Sequence, residues 1–416
     1  MPSDSSTKKL FIGLGIAALY FIITALPAPD GLTPVGKKAI AMMLAAVLVW
    51  VFEVIPIAVS SILFTLLPVV AGIIPLPKVM AHFATPTVFF VFAMFCISIA
   101  FQNSGLNRRV VLWTSLRSRG TPSRLLFFLM MVSALLSTFL ADIPVVAMML
   151  PVAVLLLEKN RCEPGASPFG KAVMLGLPIA CLIGGVGTPA GSAMNMLTIG
   201  LLQDTAKVHI SFFEWMAIGM PMVLILTPVA WWAVIKVFPP EMDRLAGMEL
   251  VEREYAELGP VTGREKLFFV ILLINFILWC TDKIHGLPLP VVAVIGGSLF
   301  VLPRIQLIDW ERDKCRIGWD ILMLIGASNA LGMIIWEQGG ASWIANTCLG
   351  DISDLPLAGV IAAISIFTIV IHLLIPVNTA IVAVLLPALA ALAGTMGVNP
   401  AVLAIPMGFS VSAALL

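Results

Sequence analysis

Of the chain's 416 residues, 60% are hydrophobic and only 11% are charged, far below the roughly 25% charged of soluble domains. This composition excludes an ordinary water-soluble fold, and the formal net charge of +1 gives no electrostatic reason to expect nucleic acid as a partner. Apolar runs of bilayer-crossing length, about 20 residues each, recur from Leu10 to the last residue. The chain therefore reads as an all-α polytopic membrane protein set in a lipid bilayer, with no separate soluble domain.

The first run, Leu10 to Leu26, follows Lys8-Lys9 as a signal peptide would. It lacks a convincing small-residue cleavage site and many spans follow it, so it reads as a retained helix. Helices are expected at about 10–27, 38–54, 57–75 and 86–103. The turn at Trp50-Val-Phe-Glu53-Val-Ile-Pro56 separates the second from the third and places Glu53 at the membrane interface. Arg108, Arg109, Arg117, Arg119 and Arg124 then crowd a short polar segment, which the positive-inside rule assigns to the cytoplasm.

From Leu125 to Leu157 the chain is apolar again, yet Lys159, Arg161 and Lys171 follow, so both ends of this segment face the same side. Asp142-Ile-Pro144 splits it into halves of about 15 and 13 residues, each short for a crossing at 1.5 Å per residue. A re-entrant helical hairpin with its tip inside the membrane satisfies both facts. An ionisable residue at such a place is a functional-site candidate by default. The next helix, about 172–201, carries Gly184-Gly-Val-Gly187-Thr-Pro-Ala-Gly191-Ser192-Ala-Met-Asn195 in its middle, where glycine and proline predict an unwound stretch. No Gly-Lys-Ser/Thr follows, so it is not a phosphate loop. A helix at about 213–238 leads to the longest polar connector, 239–266.

Helices at about 267–281, 288–304 and 317–337 follow, and after Arg316 there is no Lys or Arg up to Leu416. His372-Leu-Leu-Ile-Pro376-Val-Asn378-Thr379 opens a second broken segment, about 356–395. Asp142 precedes Pro151 by nine residues and Asn378 precedes Pro387 by nine (151 − 142 and 387 − 378). Gly105 stands 37 residues before Asp142, and Gly340 stands 38 before Asn378. Two hairpins of like design, one with basic flanks and one without, are the sequence form of an inverted repeat, which points to a transporter's central binding site. The halves are 1–238 and 267–416. From the Pro151 to Gly187 spacing, the second unwound loop is expected near position 423, beyond Leu416, so the sequence is expected to stop inside its second broken helix.

Some residues keep more than one reading. Asp142 can ligate a cation, carry a proton, or cap the half-helix that follows it. His372 can titrate or serve as a hydrogen-bonded core histidine. Glu337 and Asp320 fall at helix ends, and Trp50, Trp319 and Trp336 fit membrane-interface anchors. The six cysteines show no Cys-x-x-Cys spacing and the four histidines are isolated from them, which supports neither a zinc site nor a disulfide framework. No His-Glu-x-x-His or Ser-His-Asp pattern points to an enzyme.

Trp50…Glu53-Val-Ile-Pro56, Ser104-Gly-Leu-Asn-Arg-Arg109, the first hairpin, the glycine-rich break through Asn195, and Asn378-Thr379 together resemble the divalent anion/sodium symporter family of the ion-transporter superfamily. The resemblance covers nearly all of 40–416. It implies a scaffold domain and a transport domain, a homodimer in a bacterial inner membrane, and elevator-type alternating access. The implied cargo is a di- or tricarboxylate coupled to sodium or protons, with sulfate or another inorganic oxyanion as the alternative; an anion channel is the alternative of another class. By position, Ser137, Asp142, Gly187, Gly191 and Asn378 would serve cation or proton coupling, sodium meeting Ser137, Asp142 and Gly191. Thr188, Ser192, Asn378 and Thr379 would meet the small anionic substrate. No other cofactor is implied. Where family members carry Ser-Asn-Thr at each hairpin tip, this chain has Ala141-Asp142-Ile143 and Val377-Asn378-Thr379.

Overall fold

A computed structural model describes residues 4–349, 352, 355–374 and 377–412. Its helices are α1 (Asp4–Ala25), α2 (Pro34–Val51), α3 (Ile57–Val70), α4 (Leu76–Phe83), α5 (Pro86–Ser104), α6 (Leu106–Arg117), α7 (Pro122–Ser137), α8 (Asp142–Lys159), α9 (Pro168–Gly185) and α10 (Ala193–Ala206). They continue with α11 (Phe212–Val237), α12 (Met248–Glu257), α13 (Gly263–Cys280), α14 (Asp282–His285), α15 (Leu289–Leu299), α16 (Trp310–Asp313), α17 (Trp319–Glu337), α18 (Gly340–Cys348), α19 (Leu357–Leu374), α20 (Asn378–Met396) and α21 (Pro400–Ser412). Among the described residues, seven helical segments are long and apolar enough to cross a membrane. The protein is an all-helical integral membrane protein.

Local chemistry sets many of these boundaries. Pro34, Pro86, Pro122 and Pro168 open their helices, where a missing N–H costs nothing because no partner exists for it there. Ser211 with Glu214 and Thr262 with Glu265 form capping boxes at the starts of α11 and α13. The expected first hairpin is two helices, α7 and α8, with the break one step earlier than expected. Residues 138–141 are non-helical and Asp142 is already the first residue of α8. Pro144 explains the offset. Its ring is tolerated in the first turn of α8, but a helix running through it would meet the carbonyl of Leu140. The expected broken helix is α9 and α10, unwound over 186–192. At 16 and 14 residues, α7 and α10 run only about 24 and 21 Å, short of the roughly 30 Å hydrocarbon core.

Other sequence expectations shift. The arginine-rich segment after α5 is helical, as α6, and the connector contains α12, whose Val251 is buried. Positive φ occurs at Gly105 and at Gly339, not Gly340, so the upstream counterpart of Gly105 is Gly339. Trp50 is not an interface anchor: it is 2% exposed and packs edge-on against Phe64. Trp319 is exposed, Glu337 and Asp320 lie at the two ends of α17, and Glu53 is exposed in a left-handed turn at φ 44°. Pro376, at the second tip, lies outside the described residues.

Three apolar clusters hold the bundle. One joins α6 to α9 with α11 and α12, a second joins α2, α3, α17 and α20, and the largest runs between them through α5, α10, α13, α15, α20 and α21. Packing pairs recur between the two halves. α5 packs on α15 as α17 packs on α3, and α7 and α8 pack on α9 as α19 and α20 pack on α21. α10 of the first half lies against α20 of the second, which brings the two breaks together.

Candidate functional site

The carboxylate of Asp142 does not cap α8, whose N-cap Ala141 makes no side-chain capping bond. It turns back to α7 and accepts a hydrogen bond from the Ser137 hydroxyl, which is fully buried. Two glycines shape the space around it. A Cβ at Gly185 would stand 3.1 Å from Asp142 Oδ1. A Cβ at Gly191 would fall 2.6 Å from the Gly185 carbonyl oxygen and 2.8 Å from that of Ser137. Only glycine permits this approach, so a carboxylate, a hydroxyl and backbone carbonyls gather with no side chain between them. An all-oxygen set of this kind suits a hard cation such as sodium. Among the described residues no group of three or more His, Cys, Asp or Glu side chains gathers to hold a metal ion.

At the second tip, Asn378 opens α20 as Asp142 opens α8, and it too is tied backwards. His372 Nε2 lies 2.5 Å from Asn378 Oδ1. An amide oxygen only accepts, so Nε2 carries the proton and the Asn378 NH2 group is left facing away from the histidine. His372 is 2% exposed, the core histidine of the two sequence readings, and its Nδ1 is buried without a partner among the described residues. Thr379 is 3% exposed and its hydroxyl is likewise buried and unpartnered.

Asp142, Gly191, Ser192 and Asn378 line one cavity of about 190 Å³, walled on its other side by Phe90, Met94 and neighbours from α5. Ser192 also caps α10 by accepting from the Met194 amide at 3.3 Å. The starts of α8, α10 and α20 therefore converge on a single space. Each helix start leaves backbone N–H groups unpaired and carries the positive end of the helix dipole. No lysine or arginine lines the cavity among the described residues, so these dipoles are its positive charge.

Two expected site residues serve elsewhere. Thr188 is fully buried; its hydroxyl donates to the Thr138 carbonyl at 2.5 Å and accepts from the Ala190 amide at 3.1 Å. It holds the turn instead of facing the cavity. Gly187 is a packing glycine, since a Cβ there would fall 2.6 Å from Thr138 Cγ2. The residue that sequence reading left without a role is Asn195. Its Nδ2 donates to the carbonyls of Gly185 and Thr188, both at 2.7 Å, and its Oδ1 accepts from Ser412 at 3.2 Å. With Trp215 Nε1 on the Val186 carbonyl at 3.0 Å, it satisfies the oxygens that unwinding exposes. The sequence signal was present, an asparagine just past a glycine-rich break, but its partners were not.

Comparison with known proteins agrees with a membrane protein. The family described as the sodium:sulfate symporter transmembrane region matches residues 7–416. A sodium-dependent dicarboxylate transporter SdcS of Staphylococcus saprophyticus is 30% identical over 97% of this chain and 82% of its own length. A membrane protein of Cupriavidus necator is 28% identical over 99% of this chain and 84% of its own. The SdcS of Staphylococcus aureus strain USA300 is 27% identical over 99% of this chain and 84% of its own.

Proposed function

Because the chain belongs to the sodium:sulfate symporter family, we propose that it is a secondary active transporter that moves a di- or tricarboxylate-type anion across a bacterial inner membrane, driven by sodium. The observation that carries this reading is the convergence of three helix starts on one cavity beside an oxygen-lined pocket. Half-helix N-termini favour anionic groups, and unwound backbone with a carboxylate favours a cation. The name of the Staphylococcus relatives, sodium-dependent dicarboxylate transporter, supports the substrate class. Sulfate, which the family's description names, is the competing cargo.

In this reading Ser137, Asp142 and Gly191 hold the coupling cation, and Ser192 and Asn378 meet the anion, with Thr379 behind them. A fixed negative charge beside an anionic substrate repels it by several kcal/mol where water is scarce. Asp142 is therefore neutralised before the anion binds, by sodium or, as the alternative, by a proton. The halves 1–238 and 267–416, joined by the connector 239–266, form an inverted repeat. The recurrence of packing pairs, α7 and α8 on α9 and α19 and α20 on α21, supports it. By the family resemblance, a transport domain containing the two hairpins moves against a scaffold domain, in a homodimer.

The test is uptake of a labelled four-carbon dicarboxylate, with labelled sulfate in parallel, into proteoliposomes under an inward sodium gradient, a proton gradient, or neither. Sodium-driven dicarboxylate uptake is expected. Uptake at channel-like rates without any gradient dependence would overturn the carrier reading. In Asp142→Asn the carboxylate's charge-assisted bond, worth about 1.5–3 kcal/mol, is gone, so half-maximal uptake should need about ten- to hundredfold more sodium. Unchanged sodium and pH dependence would remove Asp142 from coupling.

A further inference from the structure

We propose that the corner between α6, α7 and α11 is a binding site for an anionic phospholipid of the cytoplasmic leaflet. A cavity of about 570 Å³ opens there, lined by Arg117, Arg119 and Arg124 at its rim and by Phe127, Phe128 and Trp231 below. The three guanidinium groups are exposed, and none lies in an ion pair with a carboxylate among the described residues. Their neighbours on α6 differ: Arg108 pairs with Glu254 at 3.0 Å and Arg109 with Glu265 at 2.9 Å. The rim thus keeps three positive charges that the protein itself does not answer.

The rim is also held in shape. Arg119 and Gly120 adopt left-handed backbone at φ 52° and 73°. Ser118 donates to the Ser115 carbonyl at 2.6 Å, and the Gly120 carbonyl accepts from the Leu245 amide at 2.8 Å. Arg117 lies 4.9 Å over the Trp113 ring. Below, Trp231 meets Phe127 edge-on at 5.2 Å and its Nε1 donates to the Ser123 carbonyl at 2.9 Å, a belt of aromatic residues of the kind found at membrane–water boundaries. One turn further on, Lys236 sits 4.7 Å over Trp232, a second mark of that boundary on α11. A charged rim beside an apolar floor on the membrane-spanning helix α11 matches one ligand shape, a phosphate headgroup with acyl chains beneath it. Basic pockets at helix corners on the cytoplasmic side recognise headgroups in this way.

Binding to the purified full chain in neutral detergent would be measured by native mass spectrometry and by the shift in thermal midpoint. The probes are phosphatidylglycerol, phosphatidylcholine with the same acyl chains, and inorganic phosphate. Phosphatidylglycerol is expected to bind preferentially. Replacing each arginine by Gln should weaken it about fivefold, and all three together about a hundredfold, while the weak phosphatidylcholine response stays the same. The triple Arg→Lys variant keeps the charge and should retain most of the preference, and Arg253→Gln, exposed on α12 and outside the cavity lining, should change nothing. Equal binding of the two lipids, an unaltered preference in the single Gln variants, or equal protection by inorganic phosphate would each overturn the proposal.

Discussion

Asp142 and Asn378 hold equivalent places, each the first residue of a half-helix and each tied back to the helix before it. Their partners differ, and so does what each has left to offer. The Ser137 hydroxyl takes one Asp142 oxygen and leaves an acceptor; His372 takes the Asn378 carbonyl oxygen and leaves an NH2 donor. An acceptor is thus left at one tip and a donor at the other, which under the proposed function would meet the cation and the anion. His372→Ala frees the Asn378 amide to rotate and leaves its oxygen without a buried donor. The expected outcome is a rise of about five- to tenfold in the KM for the anion, the worth of one net hydrogen bond, with sodium dependence retained; His372→Gln, which keeps an N–H donor, should recover part of it. Kinetics of labelled-anion uptake check both. That Asp142 and Asn378 stand at the two breaks was legible because an acid and an asparagine stand beside Pro144 and Pro376. The roles of Thr188 and Asn195 were not legible, since a hydroxyl or amide in a glycine-rich break looks the same in sequence whether it faces a ligand or a backbone carbonyl.

At the scale of elements, the hairpin and the broken helix depend on each other through glycine. A Cβ at Gly184 would fall 2.2 Å from the Ala134 carbonyl oxygen, which is backbone and has no room to move aside. Similarly, a Cβ at Gly332 of α17 would fall 2.7 Å from the carbonyl of Ala383, the one that Pro387 leaves without its helical partner. Gly184→Ala should push α9 off α7 and lower stability by about 1–3 kcal/mol, read as a lower thermal midpoint in detergent. Gly263→Ala is the control: nothing lies within 4 Å of its added methyl, and its midpoint should hardly move. Sequence showed which segments break, because proline and glycine act locally. It showed less well where they break, because the offset from Asp142 to residues 138–141 depends on which turn of a helix can accept Pro144.

Across the whole molecule, Arg109, which read only as a topology signal, also ties α6 to the connector and the start of α13. Arg109 of α6 donates to the buried Glu265 at the start of α13 and to the Gly259 carbonyl, each at 2.9 Å. Asp313, 1% exposed, accepts from Asn103 of α5 at 2.8 Å and lies 2.8 and 3.1 Å from Arg312 and Arg316. Burial pushes its carboxyl up, but those two guanidinium groups, the Asp309 amide and Asn103 outweigh it and hold the pKa down at about 2. A depressed folded-state pKa contributes stability above the unfolded value, near 4, that is lost as pH falls toward 2. Thermal midpoints in detergent should therefore fall between about pH 4 and pH 2. Asp313→Asn should lack that part of the slope and be less stable at pH 7 by about 1.5–3 kcal/mol, the net worth of a hydrogen bond to a charged group.

The sequence by itself determined the membrane class, the two interrupted segments, the glycine-rich break and the family resemblance. Hydrophobic run length and proline or glycine placement act on backbone free energy within a few residues. Only the tertiary structure decided which breaks share a cavity, that Trp50 packs inside instead of anchoring at the surface, and that three helix starts supply the positive field of a cavity that no lysine or arginine lines among the described residues. Those outcomes turn on the packing of α10 against α20, elements almost two hundred residues apart. No local pattern encodes the meeting of such distant surfaces, because its free energy belongs to the pair and to neither segment alone.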